Sequence, residues 1–214
     1  MQRRAGIALS LFVLGMALPL AAQDVPNTGP NQFEIGGFGG FSYGVDHSRA
    51  MGGGNVTYSV TNWLLPYAEV SYFPSIQRTY ISPLPDGSPD YKEVFDIPLA
   101  DVNFGVHIRK RLPHTQIVPY VVAGIGVLHS PVRTENRYDY EPNTGGYSTT
   151  ATPVPVPASS NFAANFGGGI RYYVTERFGF RAETKGYLLS SGPLYQTGRW
   201  VYRATFGVFI QFRR

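Results

Sequence analysis

The chain has 214 residues, with 18 Lys+Arg, 14 Asp+Glu, 25 Gly and no Cys. Charged residues make up 15%, against roughly 25% in an ordinary soluble domain, and a dispersed net charge of +4 argues against a nucleic-acid partner. Without cysteine there is no disulfide framework, thiolate metal site or thiol nucleophile, and a mean hydropathy of −0.12 argues against a bundle of membrane helices; an all-β chain remains.

The N-terminus reads as an address. Arg3 and Arg4 precede an apolar run from Ile7 to Leu20, and Ala21-Ala22-Gln23 supplies small residues for cleavage. That is the pattern of a secretory signal peptide, expected to be cut near Ala22; the run is too short for the roughly 20 residues of a spanning helix. The sequence therefore divides into a signal peptide (1–22), a short linker (23–32) and one β-barrel domain (33–214).

From there the apolar residues recur at every second position. Eight such runs follow in order: Phe33–Tyr43, Asn55–Val60, Leu65–Phe73, Asp101–Arg109, Val118–His129, Phe162–Val174, Phe178–Leu189 and Trp200–Phe212. In the fourth, Val102, Phe104, Val106 and Ile108 share one face, and Asp101, Asn103, His107 and Arg109 the other. Several runs reach the 9–11 residues with which a tilted strand crosses a bilayer. The connections alternate, short at about 61–64, 110–116 and 175–177, longer at about 44–54, 74–96, 130–161 and 190–199. An up-and-down barrel with turns at one end and loops at the other has that rhythm. The longest loop holds Pro153, Pro155 and Pro157 and is expected to be solvated, mobile and extended as polyproline.

The last run places Trp200, Tyr202, Phe206, Val208, Ile210 and Phe212 against Arg203, Thr205 and Gln211. The seventh has an Arg181-x-Glu183-x-Lys185 row, too costly for the dry core of a soluble barrel but suited to a polar lumen. The expected lumen network is Glu34, Glu69, Asp101 and Glu183 with Arg109, Arg171, Arg181, Lys185 and Arg203. This near-balanced set should pair and fill an eight-stranded interior. Aromatics at the run ends (Phe33, Tyr43, Trp63, Tyr67, Tyr72, Tyr172, Phe178, Tyr187, Trp200 and Phe212) are expected to form girdles at the lipid headgroups.

The segment Phe166-Gly-Gly-Gly-Ile-Arg-Tyr-Tyr-Val-Thr-Glu-Arg-Phe-Gly-Phe-Arg-Ala-Glu183, together with Pro119–Val127, resembles the small eight-stranded outer-membrane β-barrels of the OmpA transmembrane-domain, OmpX and OmpW kind. Arg213 and Arg214 follow the Phe212 on which such chains commonly end. The resemblance implies an all-β, closed antiparallel barrel of about eight strands in the bacterial outer membrane. It also implies lipids and the outer-membrane assembly machinery as partners, an external ligand at the loops, and a structural, surface-interaction or narrow porin-like role.

Catalytic groups, metal sites and cofactors are not expected. His47, His107, His114 and His129 lack metal-ligand spacing. His129-Ser130 sits at a strand end, but a nucleophile also needs a base and an orienting group. Two other readings stay open: a soluble exported barrel that binds a small apolar ligand, and a barrel enzyme that modifies lipid. Arg109-Lys110-Arg111, in a short connection, is a candidate contact for lipid headgroups.

Overall fold

The computed structural model describes residues 28–44, 48–74, 77–85, 87–96, 98–190 and 200–213. The proposed signal peptide lies outside the described residues. The strands are β1 (Gln32–Tyr43), β2 (Ser48–Ser59), β3 (Leu64–Phe73), β4 (Gln77–Pro83), β5 (Pro89–Asp96), β6 (Leu99–Arg109) and β7 (Ile117–Ser130). They continue with β8 (Arg133–Glu141), β9 (Gly146–Tyr147), β10 (Thr152–Val156), β11 (Ser159–Tyr173), β12 (Phe178–Leu189) and β13 (Trp200–Arg213).

Eight of these close into an antiparallel barrel in the order β1-β13-β12-β11-β7-β6-β3-β2. Each barrel strand pairs with the barrel strand next in the chain, and β1 with β13 closes the cylinder. The period-2 pattern sets the faces: Glu34 lies opposite Thr57 in register and both are buried, whereas Ile35 is 48% exposed. Apolar side chains lie outside and charged ones inside. Phe104, Ile125 and Phe206 are 57%, 70% and 52% exposed, and Arg171 is 0% exposed. Only a hydrocarbon surround makes that polarity stable.

Three expectations are corrected. β2 begins at Ser48 rather than Asn55, so the first connection at the loop end is only residues 44–47 and the alternation of short and long gaps fails there. Gly52-Gly53-Gly54 hid the strand, because glycine carries no face pattern; a Cβ at Gly53 would collide with the Val70 carbonyl oxygen and the Phe38 ring. Two of the long connections, at about 74–96 and 130–161, are also not solvated coils. Residues 77–96 and 133–156 form a second sheet in the order β10-β8-β5-β4, with β9 on β8. Within it, the proline stretch is strand β10, paired with β8 (Pro153 opposite Asn136, Pro155 opposite Thr134). Prolines two residues apart direct every missing donor to the same side, so β10 can pair on one edge and blunt the other.

Candidate functional site

The lumen is filled in layers. At the tight-turn end, Arg109 comes from the end of β6 and points inward. Its Nε donates to the Asn62 carbonyl (2.9 Å) and its Nη2 to the Thr28 carbonyl (2.9 Å) and Ser59 Oγ (3.2 Å). The linker residue Thr28 is thereby drawn in and buried.

Above it runs a continuous chain of polar and charged contacts. Arg171 Nη2 meets Glu34 Oε1 at 3.2 Å and His107 Nδ1 at 2.9 Å. An arginine can only donate, so His107 Nδ1 accepts and the ring proton sits on Nε2, 3.6 Å from Glu183 Oε2. Lys185 bridges Glu183 (2.8 Å) and Glu69 (3.0 Å). Glu69 also meets Arg203 at 3.5 Å, and Arg203 Nη1 pairs with Asp101 Oδ2. Arg181 donates to Asn55 Oδ1 (3.1 Å) and stands 4.0 Å from Glu69. All nine residues expected in the lumen are therefore inside it: Glu34 and Arg171 form one ion pair, six more form an ion-paired cluster that His107 links to it, and Arg109 is held by polar groups below.

Several members of this network are absent from the expected set. His107 stacks on Tyr67 with ring centroids 4.5 Å apart. Tyr120 donates to Glu183 Oε2 at 2.7 Å and lies under the Arg171 guanidinium at 4.8 Å. Tyr67 and Tyr187, expected among the girdle aromatics, point inward and are 5% and 4% exposed; Tyr67 donates to Asn165 (3.0 Å) and Tyr187 receives Arg203 (2.6 Å). Position along the strand suggested a girdle, but parity decided the direction: Tyr67 shares the face of Glu69, and Tyr187 that of Lys185.

The loop end of the lumen is apolar, which departs from a uniformly polar interior. Phe38, Met51, Phe73, Leu99, Leu128, Leu189 and Val201 cluster there, and the last five line a cavity of about 20 Å³ that also touches Asp101 and Arg203. Beyond them stands a second set of polar side chains. Arg49 donates to the Pro74 carbonyl (2.9 Å), and Arg133 pairs with Glu135 (2.7 Å) and donates to Ser130 Oγ (3.1 Å). Arg49 was hidden by the loop assigned to residues 44–54, although its even spacing from Met51 marks it as inward.

On the outside, Phe33, Tyr43, Trp63, Trp200 and Phe212 are exposed, and Tyr172 and Phe178 half-buried. Phe33, Trp63, Tyr172, Phe178 and Phe212 ring the tight-turn end; Tyr43 and Trp200 stand at the loop end, with Trp200 edge-on to Phe166 at 5.9 Å. His129 Nδ1 lies 2.9 Å from Ser160 Oγ, its cross-strand neighbour rather than Ser130. Among the described residues no carboxylate is hydrogen-bonded to that ring, and no group of three His, Cys, Asp or Glu could hold a metal ion.

No protein-family model and no curated protein matches this sequence. Solved structures do match over most of the chain. A major outer membrane protein from Thermus thermophilus is 11% identical with a TM-score of 0.56, covering 85% of this chain and 99% of the other. Neisserial surface protein A is 9% identical with a TM-score of 0.51, covering 85% and 96%. The N-terminal β-barrel domain of OprF from Pseudomonas aeruginosa is 19% identical with a TM-score of 0.48, covering 86% and 99%.

Proposed function

The chain has the fold of the small eight-stranded outer-membrane β-barrels, and we propose that it works through the surface it raises outside the membrane rather than by passing solutes or by catalysis. The observation that carries this reading is the filled lumen. Arg109 and Thr28 occupy the tight-turn end, ion pairs run through the middle, and an apolar layer and a polar layer occupy the loop end. An eight-stranded barrel leaves room for little more than its own side chains.

The outer sheet supports the same reading. Arg137 stacks over Tyr91 at 3.8 Å, Lys92 lies 5.7 Å from the Tyr138 ring and 6.0 Å from that of Tyr147, and Tyr80 and Ile81 are 47% and 51% exposed. Tyrosines held by such contacts offer broad amphipathic area with little freedom left to lose, as in antibody combining sites. Catalysis is left out of the proposal because, among the described residues, no third group orients His129 and Ser160.

Planar-bilayer recordings of the refolded full chain test it. Silence, together with weaker adhesion of cells whose chain lacks residues 77–96 and 133–156, is the expected outcome. A stable ohmic current from folded protein would transfer the function to the lumen.

A further inference from the structure

The two ends of the barrel differ in charge. At the tight-turn end Lys110, Arg111, Arg177 and Arg213 are exposed, and among the described residues there Glu176 is the one acid. These cations come from neighbouring elements. The Tyr173 amide donates to the Gln116 carbonyl (3.0 Å), joining the β6–β7 turn to β11, and the Gln211 amide donates to the Arg177 carbonyl (2.7 Å), joining the β11–β12 turn to the end of β13. They therefore stand along one arc of the rim. Immediately inward of it the exterior is apolar, with Ile117 41%, Val174 36% and Phe212 49% exposed. The outer sheet at the other end has the opposite balance: in β5 and β8, Asp90, Glu93, Glu135, Asp139 and Glu141 outnumber Lys92, Arg133 and Arg137.

We propose that this basic arc binds the headgroup phosphate of anionic phospholipids in the leaflet at the tight-turn end, with the acyl chains lying on Ile117, Val174 and Phe212. Cations just outside an apolar belt match a molecule whose phosphate sits just outside its own hydrocarbon. The guanidinium forks of Arg111, Arg177 and Arg213 can each donate two parallel hydrogen bonds to phosphate oxygens. Glu176 offsets one of the four positive charges and leaves the arc basic. Arg109, which adjoins Lys110 in sequence, takes no part because its guanidinium is turned into the lumen. The inference rests on the membrane-spanning reading of the barrel.

The test uses the full chain refolded into nanodiscs of equal parts phosphatidylglycerol and phosphatidylcholine with matched acyl chains. Lipids retained after release into mild detergent are counted by native mass spectrometry. The wild type is expected to retain phosphatidylglycerol preferentially, and K110Q/R111Q/R177Q/R213Q to lose that preference by about tenfold or more while still migrating as a folded barrel. Raised salt should weaken the preference in the wild type, and millimolar inorganic phosphate should not displace the lipid. If the fourfold variant does not fold, K110Q/R111Q and R177Q/R213Q read the two halves of the arc separately. Equal retention of both lipids, or undiminished preference in folded variants, overturns the assignment; displacement by inorganic phosphate makes the arc a general anion site and overturns it as well. A chain that fails to enter the nanodisc overturns the membrane reading instead.

Discussion

Glu69 illustrates what a charge needs inside this barrel. Its side chain is 3% exposed and faces three cations, Lys185 at 3.0 Å, Arg203 at 3.5 Å and Arg181 at 4.0 Å. Removing one member of a buried pair strands the other, at a cost of about 3–5 kcal/mol. Glu69→Ala should therefore lower stability by about that amount, read as a fall in the urea midpoint at which the folded gel band disappears. Glu69→Ala with Arg181→Met should recover more of the loss than Glu69→Ala with Lys185→Met, because Lys185 still meets Glu183 at 2.8 Å and its removal strands that carboxylate, whereas Arg181 loses its Glu69 partner and keeps Asn55 Oδ1 as acceptor. Outside, the rule reverses. Phe104 and Val208 face hydrocarbon, and Phe104→Arg or Val208→Arg should cost about 2–4 kcal/mol if near the midplane. Full tolerance of both changes would mean that the faces are the other way round.

At the scale of the strands, inward glycines and inward aromatics work as pairs. A Cβ at Gly105 would lie 2.6 Å from Gly124 Cα and 2.8 Å from Tyr67 Cε1. One at Gly169 would meet the Tyr120 ring and hydroxyl at 2.7 and 2.6 Å. Each ring lies across bare backbone of a nearby strand, which lets a narrow cylinder hold large side chains and the curvature that closure demands. Gly105→Val should displace Tyr67 from Asn165 and from the His107 stack. The measurable result is a smaller folded fraction on refolding into detergent micelles, while Gly87→Ala, in a turn of the outer sheet with φ near +85° and no atom within 4 Å of its Cβ, should cost only local strain. The glycines themselves were visible in the sequence. Their partners were not, because the ring that covers Gly105 comes from β3 and the one that covers Gly169 from β7.

In the whole molecule, closure and the outer sheet are separable. All eight barrel strands pair around the cylinder without help from β4, β5, β8, β9 or β10. Replacing residues 77–96 and 133–156 by short turns should therefore leave the heat-modifiable gel shift of a folded barrel intact. Loss of that shift would make the sheet part of the folding unit, with buried Arg133 and Glu135 the first suspects.

The number of barrel strands, their faces and the inward position of Glu34, Glu69, Asp101 and Arg171 were legible in the sequence, since side chains alternate along a strand whatever it pairs with. Alternation is local, and that is also its limit. It cannot tell that Arg171 meets Glu34, 137 residues away, or that His107 sits between Arg171 and Glu183. Nor could it show that chain rich in Pro, Gly and Tyr would pair with itself above the rim rather than remain solvated. The sequence alone determined a barrel with an apolar outside and a charged inside, because that follows from backbone geometry and the cost of burying charge in hydrocarbon. Closure of the lumen, the inward turn of Tyr67 and Tyr187 and the second sheet were decided by the tertiary structure, because they depend on which strands become neighbours and on how much space eight of them enclose.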